Sequence, residues 1–170
     1  MRQIKPLGGS GDPAIASFLN RDQMAAVKHA LSVPDRVVLI EGGAGTGRTT
    51  LMKELKAGIE AGGRQLFAFA PTADASRGVL RSEGFEGAET VARLLVDEVL
   101  QARLRGQVIL IDEAGLLGVR TLRKVFALAE DLGARVILSG DTRQHAAVER
   151  GDALRLLIEK AGLQPAAVRE

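Results

Sequence analysis

The chain contains no cysteine, tryptophan or tyrosine, and only five phenylalanines and two histidines. Without thiols it can form neither disulfides nor thiolate metal sites, and a reducing cytoplasm is the compartment that fits. His29 and His145 stand alone and make no metal-ligand spacing. The scarcity of aromatics restricts stacking on nucleobases to a phenylalanine ring or an arginine plane. No apolar run approaches the roughly 20 residues that span a bilayer, and the N-terminal stretch lacks the apolar core of a signal peptide, so no membrane partner is expected. A strong charge bias is also lacking: the formal net charge is +2, which by itself is weak ground for a polyanionic partner.

What is present suffices for one well-buried core, with 46% hydrophobic residues in 170. Residues 1–18, with Gly8-Gly9-Ser10-Gly11 and two prolines but no periodicity, read as a flexible lead-in, and 19–170 as one domain. Asn20 is a natural N-cap for a helix that places Met24, Val27 and Leu31 on one face. The run Val37-Val38-Leu39-Ile40 reads as a strand, followed by a helix through Leu51, Met52 and Leu55 to about Ala61, where Gly62-Gly63 ends it. Gln65 to Ala70 is a second strand stopped by Pro71, and Thr72 to Leu80 a helix capped by Thr72 or Asp74. Thr90 opens a helix through Val91, Leu94, Leu95, Val96, Val99 and Leu100. A strand from Gln107 to Ile111, a helix carrying Leu122, Val125, Phe126 and Ala129 and ending at Gly133, and a strand from Ala134 to Ser139 complete the series. Alternating strands and helices joined by right-handed crossovers predict an α/β fold, a parallel β-sheet covered by helices on both faces.

Between the first strand and its helix lies Gly42-Gly43-Ala44-Gly45-Thr46-Gly47-Arg48-Thr49-Thr50, the spacing of a phosphate-binding loop. Glycines there let backbone N–H groups curl around phosphate oxygens while the following helix N-terminus adds partial positive charge. The usual lysine is Arg48, which keeps the charge but carries it on a longer, planar fork, so binding and catalysis become separate questions. Asp112 and Glu113 follow a strand, where ligand sites of parallel sheets lie. An aspartate there can hold Mg²⁺, and a glutamate can orient or deprotonate water. By the same logic Gln144, after Gly140-Asp141, is placed to contact a γ-phosphate. The amide of Gln23, one turn into the first helix, matches an adenine edge chemically, although a first-turn glutamine taken alone reads first as a solvated helix residue.

In order and spacing, Leu19-Asn20-x-x-Gln23, Gly42 to Thr49, Ala70-Pro71-Thr72-Ala73, Thr90, Ile111 to Gly115 and Gly140-Asp141-x-x-Gln144 resemble the first RecA-like motor domain of superfamily 1 helicases. The likeness is to the RecD-like branch that includes the helicase part of conjugative relaxases, and it covers about Leu19 to the C-terminus. It implies a three-layer P-loop NTPase fold with ATP and Mg²⁺ as cofactors: Gln23 reading adenine, Thr49 and Asp112 holding the metal, Glu113 as catalytic base, and Gln144 coupling γ-phosphate to movement. It also implies single-stranded DNA contacts at Pro71, Thr72 and Thr90, which read equally as a turn proline and helix caps; Arg77, one turn beyond Pro71, is a candidate to join them. A second RecA-like domain is the implied partner that closes the ATP cleft. Two functions compete: an ATP-binding first motor domain whose hydrolysis drives strand translocation, and a non-hydrolysing module, favoured by Arg48, that holds single-stranded DNA or a protein. The intact Asp112, Glu113 and Gln144 favour the motor. A small kinase is disfavoured by the Gly140 to Gln144 motif and the want of an acceptor lid.

Overall fold

The computed structural model describes residues 19–42, 47–141 and 166–168. The lead-in at 1–18, the loop residues Gly43, Ala44, Gly45 and Thr46, and Gln144 lie outside them.

Each apolar run becomes a strand: β1 (Val37–Gly42), β2 (Leu66–Ala70), β4 (Val108–Ile111) and β5 (Arg135–Gly140) are joined by two short edge strands, β3 (Glu89–Thr90) and β6 (Ala166–Val168). All pairings are parallel, in the order β3-β2-β4-β5-β1-β6. Strand period decides the two cores. Val38, Ile40, Val108, Leu110 and Ile137 face one layer, while Leu39, Ile109, Ile111, Val136 and Leu138 face the other. The first layer takes α1 (Arg21–Ser32) and α2 (Arg48–Ala61) through Ala26, Val27, Leu51 and Leu55. The second takes α3 (Val91–Leu94) and α5 (Val119–Leu132) through Val91, Leu94, Leu122, Val125 and Ala129. Alternation on strands buried from both sides is what the three-layer expectation requires, and the fold agrees with it. Among the described residues no helix is long and apolar enough to cross a membrane.

Two local expectations need correction. The single helix from Thr90 through Leu100 is two: α3 stops after one turn, and α4 (Glu98–Arg103) starts anew. Asp97 causes the break, because its carboxylate accepts from the Leu100 N–H at 2.9 Å and so caps a second helix instead of continuing the first. Val96 and Val99 are consequently 77% exposed rather than core. After Pro71, the chain forms a π-helical segment, Asp74–Leu80, instead of a regular helix. Thr72 and not Asp74 caps its entry, accepting from the Ala75 N–H at 3.1 Å. The buried Ser76 returns its hydroxyl to the Thr72 carbonyl at 2.8 Å, adding a second donor to a carbonyl that the Ser76 N–H already uses. Such competition loosens the regular ladder, and π-bulges of this kind recur at functional sites.

Arg135, at the amino end of β5, is 1% exposed, and its guanidinium donates to the carbonyls of Val33 and Asp35 in the α1–β1 connection. Burial, with the nearby Arg64 charge, lowers it to about 10 against a smaller opposing effect of Asp35, so it remains a cation at neutral pH.

Candidate functional site

The carboxyl ends of β1, β4 and β5 bring the sequence motifs together. Gly47, the N-cap of α2, has φ 70°, a left-handed conformation that glycine adopts without a Cβ penalty. The close approach is as demanding as the angle: a Cβ on Gly47 would stand 2.3 Å from Nε2 of Gln23. Gln23 is therefore not a solvated helix residue. It is 6% exposed, and its Oε1 accepts from the Asn20 N–H at 2.9 Å while the Asn20 side chain accepts from the Gln23 N–H at 2.8 Å. This reciprocal capping box fixes the amide against the end of the phosphate loop. The signal was available in the spacing Asn-x-x-Gln, which places a cap and its return partner three residues apart.

Arg48 opens α2 half-buried, with Nε 3.7 Å from Oδ1 of Asp112. That separation is an ion pair without a hydrogen bond. Oδ1 is buried and has no hydrogen-bond partner among the described residues. A buried carboxylate oxygen left in this state is costly unless a ligand completes it, and its place after β4 fits a divalent cation. No cluster of three or more His, Cys, Asp or Glu among the described residues could hold a metal. A Mg²⁺ bound here would thus rely on one or two protein oxygens plus phosphate and water, the ordinary mode for that ion.

Thr49, expected as a metal ligand, donates its hydroxyl to Oε1 of Glu83 at 2.8 Å. Donation uses the proton and leaves the oxygen lone pairs, so the contact is compatible with coordination. Sequence reasoning gave Glu83 no role, since a pair 34 residues apart leaves no local signature. Thr50 is half-buried on the same turn.

Glu113 adopts φ 53° and ψ 35°, and it is the one non-glycine residue at positive φ among those described. A left-handed conformation in a residue with a long side chain costs about 1–2 kcal/mol, and such outliers gather at active sites. The turn is held from the β5 side. A Cβ on Gly140 would meet the Ala114 and Gly115 nitrogens at 3.2 and 3.3 Å, and one on Gly115 the Asp141 carbonyl at 3.1 Å. The two acidic motifs therefore pack backbone on backbone, which explains glycine in both.

The strand-contacting candidates lie at the other end of the same sheet edge. β2 and β3 pair Ala70 with Thr90, bringing Pro71 and Thr72 beside Thr90. Thr90 caps α3 by accepting from the Arg93 N–H at 3.2 Å, as Thr72 caps the π-helical segment. Capping uses an acceptor site and leaves each hydroxyl proton to donate, so cap and ligand roles coexist. Arg77 is half-exposed, with Nε 3.1 Å from Oε2 of Glu89. Glu89 also draws in Arg81 at 2.6 Å and Arg93 at 3.3 Å, and neither arginine was singled out from the sequence. Burial raises the Glu89 carboxyl, but the Arg77 hydrogen bond and charge, then Arg93 and Arg81, outweigh it and leave the group below its ordinary value.

A family model described as an AAA domain matches residues 18–170. The multifunctional conjugation protein TraI of Escherichia coli K12 is 30% identical over 162 residues, which are 89% of this chain and 9% of that protein. The chain thus spans about a tenth of that relative's length. Among solved structures, the Pif1 helicase from Candida albicans superposes with a TM-score of 0.61 at 20% identity, covering 90% of this chain and 40% of the other. A Bacteroides Pif1 bound to single-stranded DNA gives 0.57 at 21% identity, covering 85% and 37%. At such identities the likeness is one of fold.

Proposed function

The chain belongs to the AAA-domain family, as a RecA-like domain of the superfamily 1 helicase kind, and from that premise we propose that it binds ATP with Mg²⁺ and drives single-stranded DNA translocation when joined to a second RecA-like domain. The observation that carries this reading is Asp112, whose buried Oδ1 lacks a hydrogen-bond partner among the described residues and faces Arg48 at 3.7 Å. The Arg48 guanidinium and the α2 N-terminus supply positive charge to a polyphosphate. Asp112 and Thr49 would hold the metal, which when bound would supply positive charge to offset that of the phosphates. Glu113, fixed in its left-handed turn, holds water for in-line attack on the terminal phosphorus and accepts its proton, while the bond from that phosphorus to the bridging oxygen breaks and ADP leaves. Gln23 borders the glycine turn from α1, where its amide reads the nucleobase. In this reading Oε1 keeps the Asn20 N–H and Nε2 is the donor to the base.

Strand contact at Pro71, Thr72 and Thr90 belongs to the same proposal. From β3 to β1 is four strand spacings, about 19 Å, so nucleotide and strand would occupy one continuous sheet edge. The non-hydrolysing module is the lesser reading, since Glu113 retains a strained turn that such a module does not need.

Titration of a fluorescent ATP analogue with and without Mg²⁺ tests the assignment. Asp112→Asn should abolish the metal-dependent gain in affinity, whereas Glu113→Gln should keep it and lose hydrolysis once a second motor domain is supplied. Arg48→Lys should raise that hydrolysis while leaving binding within a few-fold. Identical behaviour of the two acid variants would discard the division of labour between them.

A further inference from the structure

Three guanidinium groups converge on one carboxylate at the corner where β2 and β3 end. Arg77 contributes Nε to Glu89 Oε2 at 3.1 Å, and Arg81 and Arg93 contribute terminal nitrogens to Oε1 at 2.6 and 3.3 Å. The carboxylate is 12% exposed, but its partners are 49%, 38% and 51% exposed. Arg81 spends its Nε on the Ala88 carbonyl, and Arg93 spends its Nε on Asp97. Even so, every guanidinium keeps N–H groups for which no partner occurs among the described residues. Three cations against Glu89 and Asp97 leave one positive charge in surplus.

Left to themselves, three arginines repel and take up many rotamers. Glu89 holds them together from beneath and turns their outer edges to solvent. Planar forks presented in this way suit tetrahedral oxyanions. The hydroxyl protons of Thr72 and Thr90 lie at the same corner, Thr90 being the next residue along β3. A line of such donors along a sheet edge fits a chain of phosphates better than one ion.

We propose that Arg77, Arg81 and Arg93 form a phosphodiester-binding cluster for single-stranded nucleic acid, with Glu89 as the positioning residue that assembles it. This rests on the strand-binding reading given above and adds a charge-bearing site to it. Glu89 acts against simple charge counting: removing its negative charge weakens binding, because the guanidinium groups then spread apart.

The test is fluorescence anisotropy of a labelled oligothymidine titrated with the whole chain across a salt series. Each phosphate of a single strand that a variant no longer neutralises lowers the slope of log affinity against log salt by about 0.7, or about fivefold in affinity at 0.1 M salt. Arg77→Ala and Arg93→Ala should each show that decrease, while Arg123→Ala, which removes an exposed cation on α5, should not. Glu89→Gln, which keeps the hydrogen-bonding shape, should bind more weakly than the parent, and Glu89→Ala more weakly still, with melting temperature reporting that the fold is kept. Tighter binding by Glu89→Gln, or unchanged slopes for Arg77→Ala and Arg93→Ala against a parent that binds, would overturn the cluster and leave strand binding standing. A parent that fails to bind oligothymidine at all would overturn both. Competition by inorganic phosphate at matched ionic strength would mark a free-anion site, and equal competition by a polyglutamate peptide of the same length an acidic protein partner; either result overturns the proposal.

Discussion

Replacing Gly47 with alanine would measure how firmly α1 is joined to the phosphate loop. At φ 70° an alanine loses about 1–2 kcal/mol to its own carbonyl contact. Its Cβ would also lie 2.3 Å from Gln23 Nε2, which must move. The amide ends a flexible side chain and can swing aside, but doing so breaks the Oε1 hydrogen bond to Asn20 N–H and with it half of the capping box, about 1 kcal/mol. The sum is roughly 2–3 kcal/mol, or about 5–10 °C in Tm for a chain of this size. Urea titration and thermal melts of Gly47→Ala, Gln23→Ala and the double variant form a cycle. Since either single change already sacrifices the cap, the double variant should be about 1 kcal/mol more stable than additivity predicts. Strict additivity, or a loss below about 0.5 kcal/mol for Gly47→Ala, would refute the close approach of the two residues.

Other changes bear on the acidic turn and the opposite end of the sheet. Glu113→Gly should stabilise the chain by up to about 1 kcal/mol in urea, because relief of the left-handed strain exceeds the entropy that glycine adds to the unfolded chain, while hydrolysis in an assembled motor disappears. Gly140→Ala should cost about 1–3 kcal/mol and lower hydrolysis more than nucleotide affinity, since backbone nitrogens at 3.2 and 3.3 Å cannot yield without moving the Glu113 turn; equal effects on both would show that the turn is not coupled to β5. Arg135→Met should lose about 2–4 kcal/mol by leaving the Val33 and Asp35 carbonyls without their donor, with the urea m-value unchanged and nucleotide affinity intact in the folded fraction.

The architecture was legible where physics acts locally. Alternating β-branched runs, the glycine stop at Gly133 and the cap at Asn20 all depend on neighbours within a turn or two, and they gave the three-layer fold. The same local rules misread Thr90 to Leu100. Their apolar spacing suggests one helix, but Asp97 offers a competing cap, and no count of apolar residues weighs that competition. The pairings of Thr49 with Glu83, and of Glu89 with Arg77 and Arg81, were not legible because helix and strand packing creates them between residues far apart in sequence. Arg135 shows the limit most plainly. An arginine within an apolar run gives no sign that it will be buried on carbonyls 102 and 100 residues earlier.

The strand order also has a consequence for synthesis. Among the described strands β1 pairs only with β5 and β6, and not with β2, β3 or β4. A chain leaving the ribosome from its N-terminus therefore presents the phosphate-loop strand long before its flanking strand exists. At about 5–20 residues per second, the 102 residues from Val33 to Arg135 represent a wait of roughly 5–20 s. During that interval β2, β3 and β4 can zip together, whereas Val38 and Ile40 have no sheet to enter. Insertion of β5 then closes the gap in one step, with Arg135 fastening the α1–β1 connection as it arrives. A nascent chain stalled before β5 would carry the glycine loop in full yet have no sheet to hold it, and its apolar β1 would be a ready ligand for chaperones.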